Sequence, residues 1–352
     1  MKETARRAFL ASAIFVGVVA LALALWKLKL LIAVFFLGLI IAAAMRPGVE
    51  ALNRHRVPRI VGILLHYVAL AGAIAILLWQ VVPTAEKQIS HAIPTSTSQL
   101  NKAAKNSSGW RHKIFTAIKK RLKDLPSGSK LIHPAISATK TAFEVLIGIL
   151  IALATGAYWI FERDRAERVV LSLLPRDKRR TVRDTWGLID AKLGAYVRGQ
   201  LLLVCLVATV LSTAFWIIGL RFWLLVGIFA GLVELIPVVG PLAAGVIAVG
   251  VGLTSSWQVG VAAGIVVLCV RLLEDYVVIP KVLGDAVGLT PLTVLFAVAA
   301  VTIVFGGVAV LLAIPFAAVV VTTLDVIVLK HDPGDAETPT VLFPAKDSAE
   351  QP

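Results

Sequence analysis

Four ionisable side chains in the C-terminal half sit where apolar sequence leaves little room for charge. Arg271, Glu274 and Asp275 close the otherwise apolar run that begins at Val261, and Glu234 stands three residues before Pro237 in another. At helical spacing, residues 271, 274 and 275 share one face, so an Arg–carboxylate pair is available. Ionisable groups at the inner end of a membrane span are costly unless paired or turned toward an aqueous path. Two readings fit: a gate or site coupling a solute and protons, or an internal ion pair at the membrane edge. Glu144 and Asp325 lie nearer the ends of apolar runs and read as interfacial. His66 reads as a packing residue rather than a proton relay.

Around these charges the hydrophobic sequence is interrupted. Phe222 to Ser256 is 35 residues, too long for one span and too short for two comfortable ones, and it is broken at Ile236-Pro237-Val238-Val239-Gly240-Pro241. Proline removes a backbone donor and clashes with the preceding turn, and Gly240 permits a sharp change of direction. Two half-length helices meeting at a tip fit better than one continuous span. A second unit, Thr290 to Leu329, is broken at Gly306-Gly307, with Ile314-Pro315 beyond. Paired, interrupted hydrophobic segments point to a transporter's binding site; ordinary kinked helices are the alternative. Other chemistries lack their residues. There is no G-x-x-x-x-G-K-[ST] loop, so ATP is not the direct energy source, and no H-E-x-x-H or G-x-S-x-G. Asp275 and Asp285 fall on either side of Pro280 and do not make the facing pair of an intramembrane protease. Cys205 and Cys269 lie inside apolar runs without metal-ligand spacing. The sequence reads as neither an enzyme nor a metal or cofactor protein.

The elements that must position these residues follow from composition. Of 352 residues, 58% are hydrophobic and only 16% charged, with a mean hydropathy of +0.88; soluble domains are about 25% charged. Apolar runs long enough to cross a bilayer core occur at Ala8–Trp26, Leu30–Met45, Ile60–Val82, Thr141–Phe161 and Leu201–Leu220. The expected fold is an all-α polytopic membrane protein with two Gly/Pro-broken helical hairpins in its C-terminal half. It divides into three N-terminal spans (1–82), a polar basic insert (83–139), a fourth span (140–161), a charged connector (162–200), a transport core (201–329) and a disordered tail (330–352). In the insert, Ile114, Phe115, Ile118, Leu122 and Leu125 fall at helical spacing between Trp110 and Leu125, among six Lys and Arg. That pattern suits a helix lying in the lipid headgroups or one packing against a neighbouring subunit or the insert itself. Neither needs a nucleic acid, although the net charge is +14.

Basic residues on short loops set topology. With the N-terminus inside, 20 Lys and Arg fall on inner segments and three, Lys27, Lys29 and Arg221, on short outer loops. The insert would lie outside despite its own ten, being long enough to escape the charge bias. Both termini are therefore expected in the cytoplasm.

Several motifs taken together resemble the autoinducer-2 exporter family of bacterial membrane proteins. They are Ile236-Pro237-Val238-Val239-Gly240-Pro241, Leu273-Glu274, Val278-Ile279-Pro280-Lys281-Val282-Leu283-Gly284 and Val287-Gly288-Leu289-Thr290-Pro291-Leu292. Arg46-Pro47, Leu174-Pro175, Tyr196-Val197-Arg198-Gly199-Gln200, Gly306-Gly307 and Ala313-Ile314-Pro315 belong to the same pattern. Asp275-Tyr276 and Thr290 depart from the residues common at those positions, which could line the path. The resemblance implies a bacterial inner-membrane transporter with about eight hydropathy spans, both termini inside, and a homo-oligomer, with a pentamer the expected form. It also implies a small polar solute as cargo, autoinducer-2 in some members and sodium/proton exchange in others. The path would run past Glu234, Pro237, Gly240, Pro241, Arg271, Glu274, Asp275, Thr290, Pro291, Gly306 and Gly307. A secondary transporter working by alternating access leads, with partners limited to solute, Na+ or H+, and membrane lipid. A channel-like pore and a non-transporting scaffold are the alternatives.

The charge count yields a direct test. With Cys205 and Cys269 replaced, single cysteines at Ser107 and Asp184 should label from opposite faces with a membrane-impermeant thiol reagent. Labelling of Asp184→Cys from outside overturns the orientation.

Overall fold

The computed structural model describes residues 2–76, 79, 81–84, 132–237, 239–279 and 289–335, and among these every regular element is helical. In chain order they are α1 (Lys2–Lys27), α2 (Lys29–Arg54), α3 (Arg59–Thr84), α4 (Ile132–Ser172) and α5 (Arg176–Ile217), followed by α6 (Trp223–Val233), α7 (Val239–Ser255), α8 (Trp257–Leu273), α9 (Pro291–Phe305) and α10 (Ala313–Ile327). The helix expected at Trp110–Leu125, the stretch Pro280–Gly288 and the tail beyond Asp335 lie outside the described residues.

Among the described residues, five helices are long and apolar enough to cross a membrane: α2, α3, the Leu146–Ser172 part of α4, α5, and Ala309–Ile327. Large apolar side chains such as Phe15, Leu65, Trp216 and Phe296 face outward. Such a skin has no place in water and suits lipid, and the chain is a polytopic all-α membrane protein.

α5 is the spine. Its 42 residues extend about 63 Å at the helical rise, roughly twice the bilayer core, so it carries the charged connector and the fifth apolar run in one piece. Leu173, Leu174 and Pro175 turn the chain into it. Pro175 precedes α5 with an extended backbone, and Arg179 Nε donates to the Leu174 carbonyl at 3.1 Å. That bond satisfies a carbonyl just past the end of α4, where helical partners run out. α5 packs on α2 along its first half and on α6 along its second, and α10 lies against it as well.

Each packing depends on small residues, because lipid-exposed helices associate through close van der Waals contact rather than hydrophobic exclusion. α2 contains Pro47, which has no N–H to give the Ala43 carbonyl. Gly194 of α5 approaches so closely there that an added Cβ would stand 2.5 Å from Ala43 O. One turn on, Arg198 Nη1 donates to the Ala44 carbonyl at 3.3 Å. The proline-loosened turn of α2 is thus covered by α5. Further along α5, Gly227 of α6 lies against Ser212, and beyond it Gly252 of α7 lies against Gly260 of α8. The core joining α5 to α8 is built of Val207, Leu211, Phe215, Val226, Ala244, Ala248 and Ala263. α9 and α10 form a smaller core around Ala297, Val301, Ala313 and Ala317, tied to α2 by the edge-on rings of Phe36 and Phe316 at 6.2 Å. His66 is satisfied by the Gly62 carbonyl at 2.8 Å and packs on Gly48.

The contact at Gly227 gives a sign to a substitution. Glycine to alanine in a helix interior ordinarily gains up to about 1 kcal/mol. At Gly227 the new Cβ would stand 2.6 Å from Ser212 Cα, so Gly227→Ala should lower stability by about 1–3 kcal/mol. Gly250 has nothing within 4 Å of the same position, and Gly250→Ala should leave stability unchanged or raise it. Thermal unfolding of the two variants in detergent checks the contrast.

Candidate functional site

α6 stops where Pro237 has no N–H to continue a ladder. Its last residues curl into tight turns, with Ile236 N donating to Val233 O and Gly240 N to Ile236 O, both at 2.8 Å. Gly240 is buried, and a Cβ on it would collide with the Val233 carbonyl. Only glycine lets the start of α7 press against the end of α6. Glu234, the first residue past α6, is held from two directions: Gln200 Nε2 of α5 donates to its backbone carbonyl at 3.4 Å, and its side chain reaches α8.

α8 begins with a cap, Ser256 Oγ accepting from Val259 N, and places Arg271 in its last turn. Beyond Leu273 the helix widens into a π turn, Glu274–Val278. The Arg271 guanidinium collects three carboxylates. Its Nη2 and Nε grip Asp275 at 2.7 and 3.0 Å in a fork, a geometry suited to guanidinium and carboxylate. Its Nη1 alone serves both glutamates, Glu234 Oε1 at 2.9 Å and Glu274 Oε2 at 3.4 Å. The two glutamate carboxyl groups are thus held side by side on one guanidinium nitrogen. Burial is graded: the Asp275 side chain is 40% exposed, Arg271 32%, Glu234 10% and Glu274 3%. Glu274 Oε1 is sealed from solvent and has no hydrogen-bond partner.

The structure therefore brings together Glu234, Arg271, Glu274 and Asp275, with Pro237, Gly240 and Pro241 directly after Glu234. The contact read from spacing alone, Arg271 to Glu274, is the longest of the three. Glu234, 37 residues away, makes a closer one. Thr290 and Pro291 instead start α9: Thr290 Oγ1 accepts from Thr293 N at 3.3 Å, and Pro291 takes the first turn, where a missing N–H is harmless. Gly306 ends α9 at φ 96°, and a 3-10 turn over Gly307–Leu312 leads into α10. The hydrogen bonds of Thr290 and Gly306 stay within their own segment.

A second charged network, which sequence reasoning missed, joins α2, α4 and α5. Arg46 pairs with Glu50 and Asp190, and Asp190 takes Arg163 Nε at 2.7 Å. Arg163 also holds Glu167, which in turn meets Arg183. Trp159 and Trp186 stack beside it, 6.1 Å between centroids. The pairs Arg46–Glu50 and Arg163–Glu167 are legible as i, i+4 neighbours; the link through Asp190 is not. Three arginines here face Glu50, Glu167 and Asp190, with Asp164 at the edge. Such near balance is what a structural clamp requires. Around Arg271 one positive charge faces three negative ones, so the fully ionised group would carry −2. That excess invites a proton, a cation or a polar solute.

Comparison with known proteins places this geometry in context. A family model described as AI-2E family transporter matches residues 14–329. The Bacillus subtilis (strain 168) proteins YrrI and YueF are 25% and 27% identical over 291 and 288 residues. These alignments take in 80% of this chain and 82% of YrrI, and 78% of this chain and of YueF. MT0215 of Mycobacterium tuberculosis (strain CDC 1551 / Oshkosh) is 25% identical over 325 residues, 90% of this chain and 88% of its own. All three bear provisional transport-protein names.

The grading of burial around Arg271 predicts unequal effects. Arg271→Gln strands two buried glutamates beside Asp275 and should lower stability by about 3–5 kcal/mol. Asp275→Asn removes only the half-exposed member and should lower it by about 1 kcal/mol or less. Equal losses on thermal unfolding would mean that the buried glutamates do not depend on the guanidinium.

Proposed function

The chain belongs to the AI-2E transporter family, and on that premise we propose that it is a secondary membrane transporter exporting a small polar solute of the autoinducer-2 type by alternating access. The observation that carries this reading is the interruption between α6 and α7. Its first residue, Glu234, is fastened to α8 through Arg271 and to α5 through Gln200. Non-helical backbone at membrane depth persists where protein covers it or where it lines a watery cavity. A break tied by side chains, rather than by continuous packing, can be covered in one state and open in another. The second interruption, Gly306–Leu312, stands in the corresponding place between α9 and α10. Two such breaks facing one path are how transporters of this kind build a midplane site.

On this reading Glu234, Arg271, Glu274 and Asp275 form the charged wall of the path, Pro237, Gly240 and Pro241 its first tip, and Thr290, Pro291, Gly306 and Gly307 its second. The balanced network around Asp190 stays outside it as scaffold. The protein works in the bacterial inner membrane with both termini in the cytoplasm, as a homo-oligomer.

Gly240→Leu is the discriminating change. A leucine there cannot sit against the Val233 carbonyl, so it displaces the start of α7 and distorts the tip of the path while the rest of the chain still inserts. Flux of autoinducer-2 out of proteoliposomes, normalised to folded protein, should fall by about tenfold or more, since a misplacement of 1 Å can matter on that scale. Unchanged flux per folded molecule, with only lowered thermal stability, would reduce the break to an ordinary kink.

A further inference from the structure

We propose that Glu234 and Glu274 hold a single proton between them, and that this proton latches the α6–α7 break to the end of α8. The inference deepens the transport reading above, since it assigns the ion that works the break, and it rests on that break belonging to the path.

Both glutamates draw on one guanidinium nitrogen, Arg271 Nη1, while the other edge of the guanidinium is occupied by Asp275. Holding both to that nitrogen, at 2.9 and 3.4 Å, sets the two carboxyl groups side by side. Two ionised carboxylates are acceptors only and cannot bond to each other; one proton makes the first a donor and the second its acceptor. Burial adds an independent observation. The Glu274 side chain is 3% exposed, and its Oε1 is closed off from solvent with nothing donating to it. A buried carboxylate oxygen left unanswered is strongly unfavourable. The charge count leads to the same end, since one proton brings the cluster from −2 to −1. The charged groups acting on Glu274 are Glu234 from the turn after α6, and Arg271 and Asp275 from its own helix and the π turn that continues it.

The balance of the step is simple. The O–H bond of the shared carboxyl breaks, the proton leaves to water or solute, and two adjacent anions remain on one nitrogen. Nη1 then keeps one of them. Glu274 is fixed within α8's continuation, whereas Glu234 sits on a turn, so Glu234 is the group that swings away and takes the break with it. Proton binding closes the latch and proton release opens it.

Infrared difference spectroscopy on the purified full-length protein in nanodiscs, titrated with pH, reads the proton directly through the carbonyl stretch of a protonated carboxylic acid. The band should appear in the native chain, vanish in both Glu234→Gln and Glu274→Gln, and survive in Asp275→Asn. Its absence overturns the proposal, and so does its persistence in either glutamine variant. Should a glutamine variant fail to fold, carbon-13 glutamate labelling of the native protein must still shift the band; an unshifted band assigns it to aspartate and overturns the proposal. In proteoliposomes, flux should change by up to about tenfold per pH unit on the limb that titrates one proton, and that limb should be flat in Glu274→Gln. A band obeying these rules with pH-independent flux overturns the latch. Loss of flux in Gly240→Leu without any band leaves the transport reading standing and removes only this one.

Discussion

A broken backbone that protein or lipid shuts off from water must be satisfied from within the chain, so wherever the helical ladder of this protein opens in such a place, another segment covers the gap. The rest of the architecture follows from that requirement. Pro47 loosens α2, and α5 answers with Gly194 against one carbonyl and Arg198 on the next. Pro237 ends α6, and α5 again supplies the partner, Gln200 on the Glu234 carbonyl. The helix that does both is the longest described, and its small residues face the partners it must approach. α5 serves both discontinuities from within two turns, between Gly194 and Gln200.

Charge is governed by the same rule, and the two ionic clusters obey it differently. Around Asp190 nearly every charge has a counterpart, and the three helices meeting there are locked by opposing side chains on each. Such a cluster has nothing left to bind. Around Arg271 the guanidinium is outnumbered, and its most buried neighbour has an unanswered oxygen. An arrangement that is incomplete by construction is suited to a group that comes and goes. Connecting the two through α5 places a rigid clamp at one end of a helix and an unbalanced cluster along its further course.

Much of this was legible in the sequence, for physical reasons that also mark where legibility ends. Hydropathy exposed the membrane class because lipid permits a continuous apolar surface that water does not. Arg271, Glu274 and Asp275 stood out because charge is rare in apolar runs, and helical spacing put them on one face. Glu234 was visible as an odd carboxylate, but its contact with Arg271 depends on how α6 and α8 pack across 37 residues of chain. No local periodicity encodes that distance. Asp190 was hidden for the opposite reason: in a connector crowded with charge, one aspartate carries no signal until Arg46 and Arg163 converge on it. The connector reads as a charged stretch in which Trp186, Leu188, Ile189 and Leu193 suggest an amphipathic helix leading into the fifth span, and its residues continue α4 and α5 on either side of a three-residue turn. Polar composition there reflects solvent contact, not loss of helix.

The placement of the unbalanced cluster bears on how a break could move without unravelling the fold. Glu234 has two tethers of different kinds. The bond from Gln200 is neutral, long at 3.4 Å and directed at the backbone, whereas the bond from Arg271 is charged, short at 2.9 Å and directed at the side chain. A change of charge in the cluster alters the second tether and leaves the first untouched. The turn can therefore pivot about its main-chain attachment to α5 while its side chain lets go of α8. The small-residue contacts of α6 with α5 and of α7 with α8 lie away from the turn and need not separate. Motion confined to the few residues between Val233 and Val239 is what a chain so closely packed elsewhere permits, because packed interfaces shift between discrete arrangements rather than deform continuously.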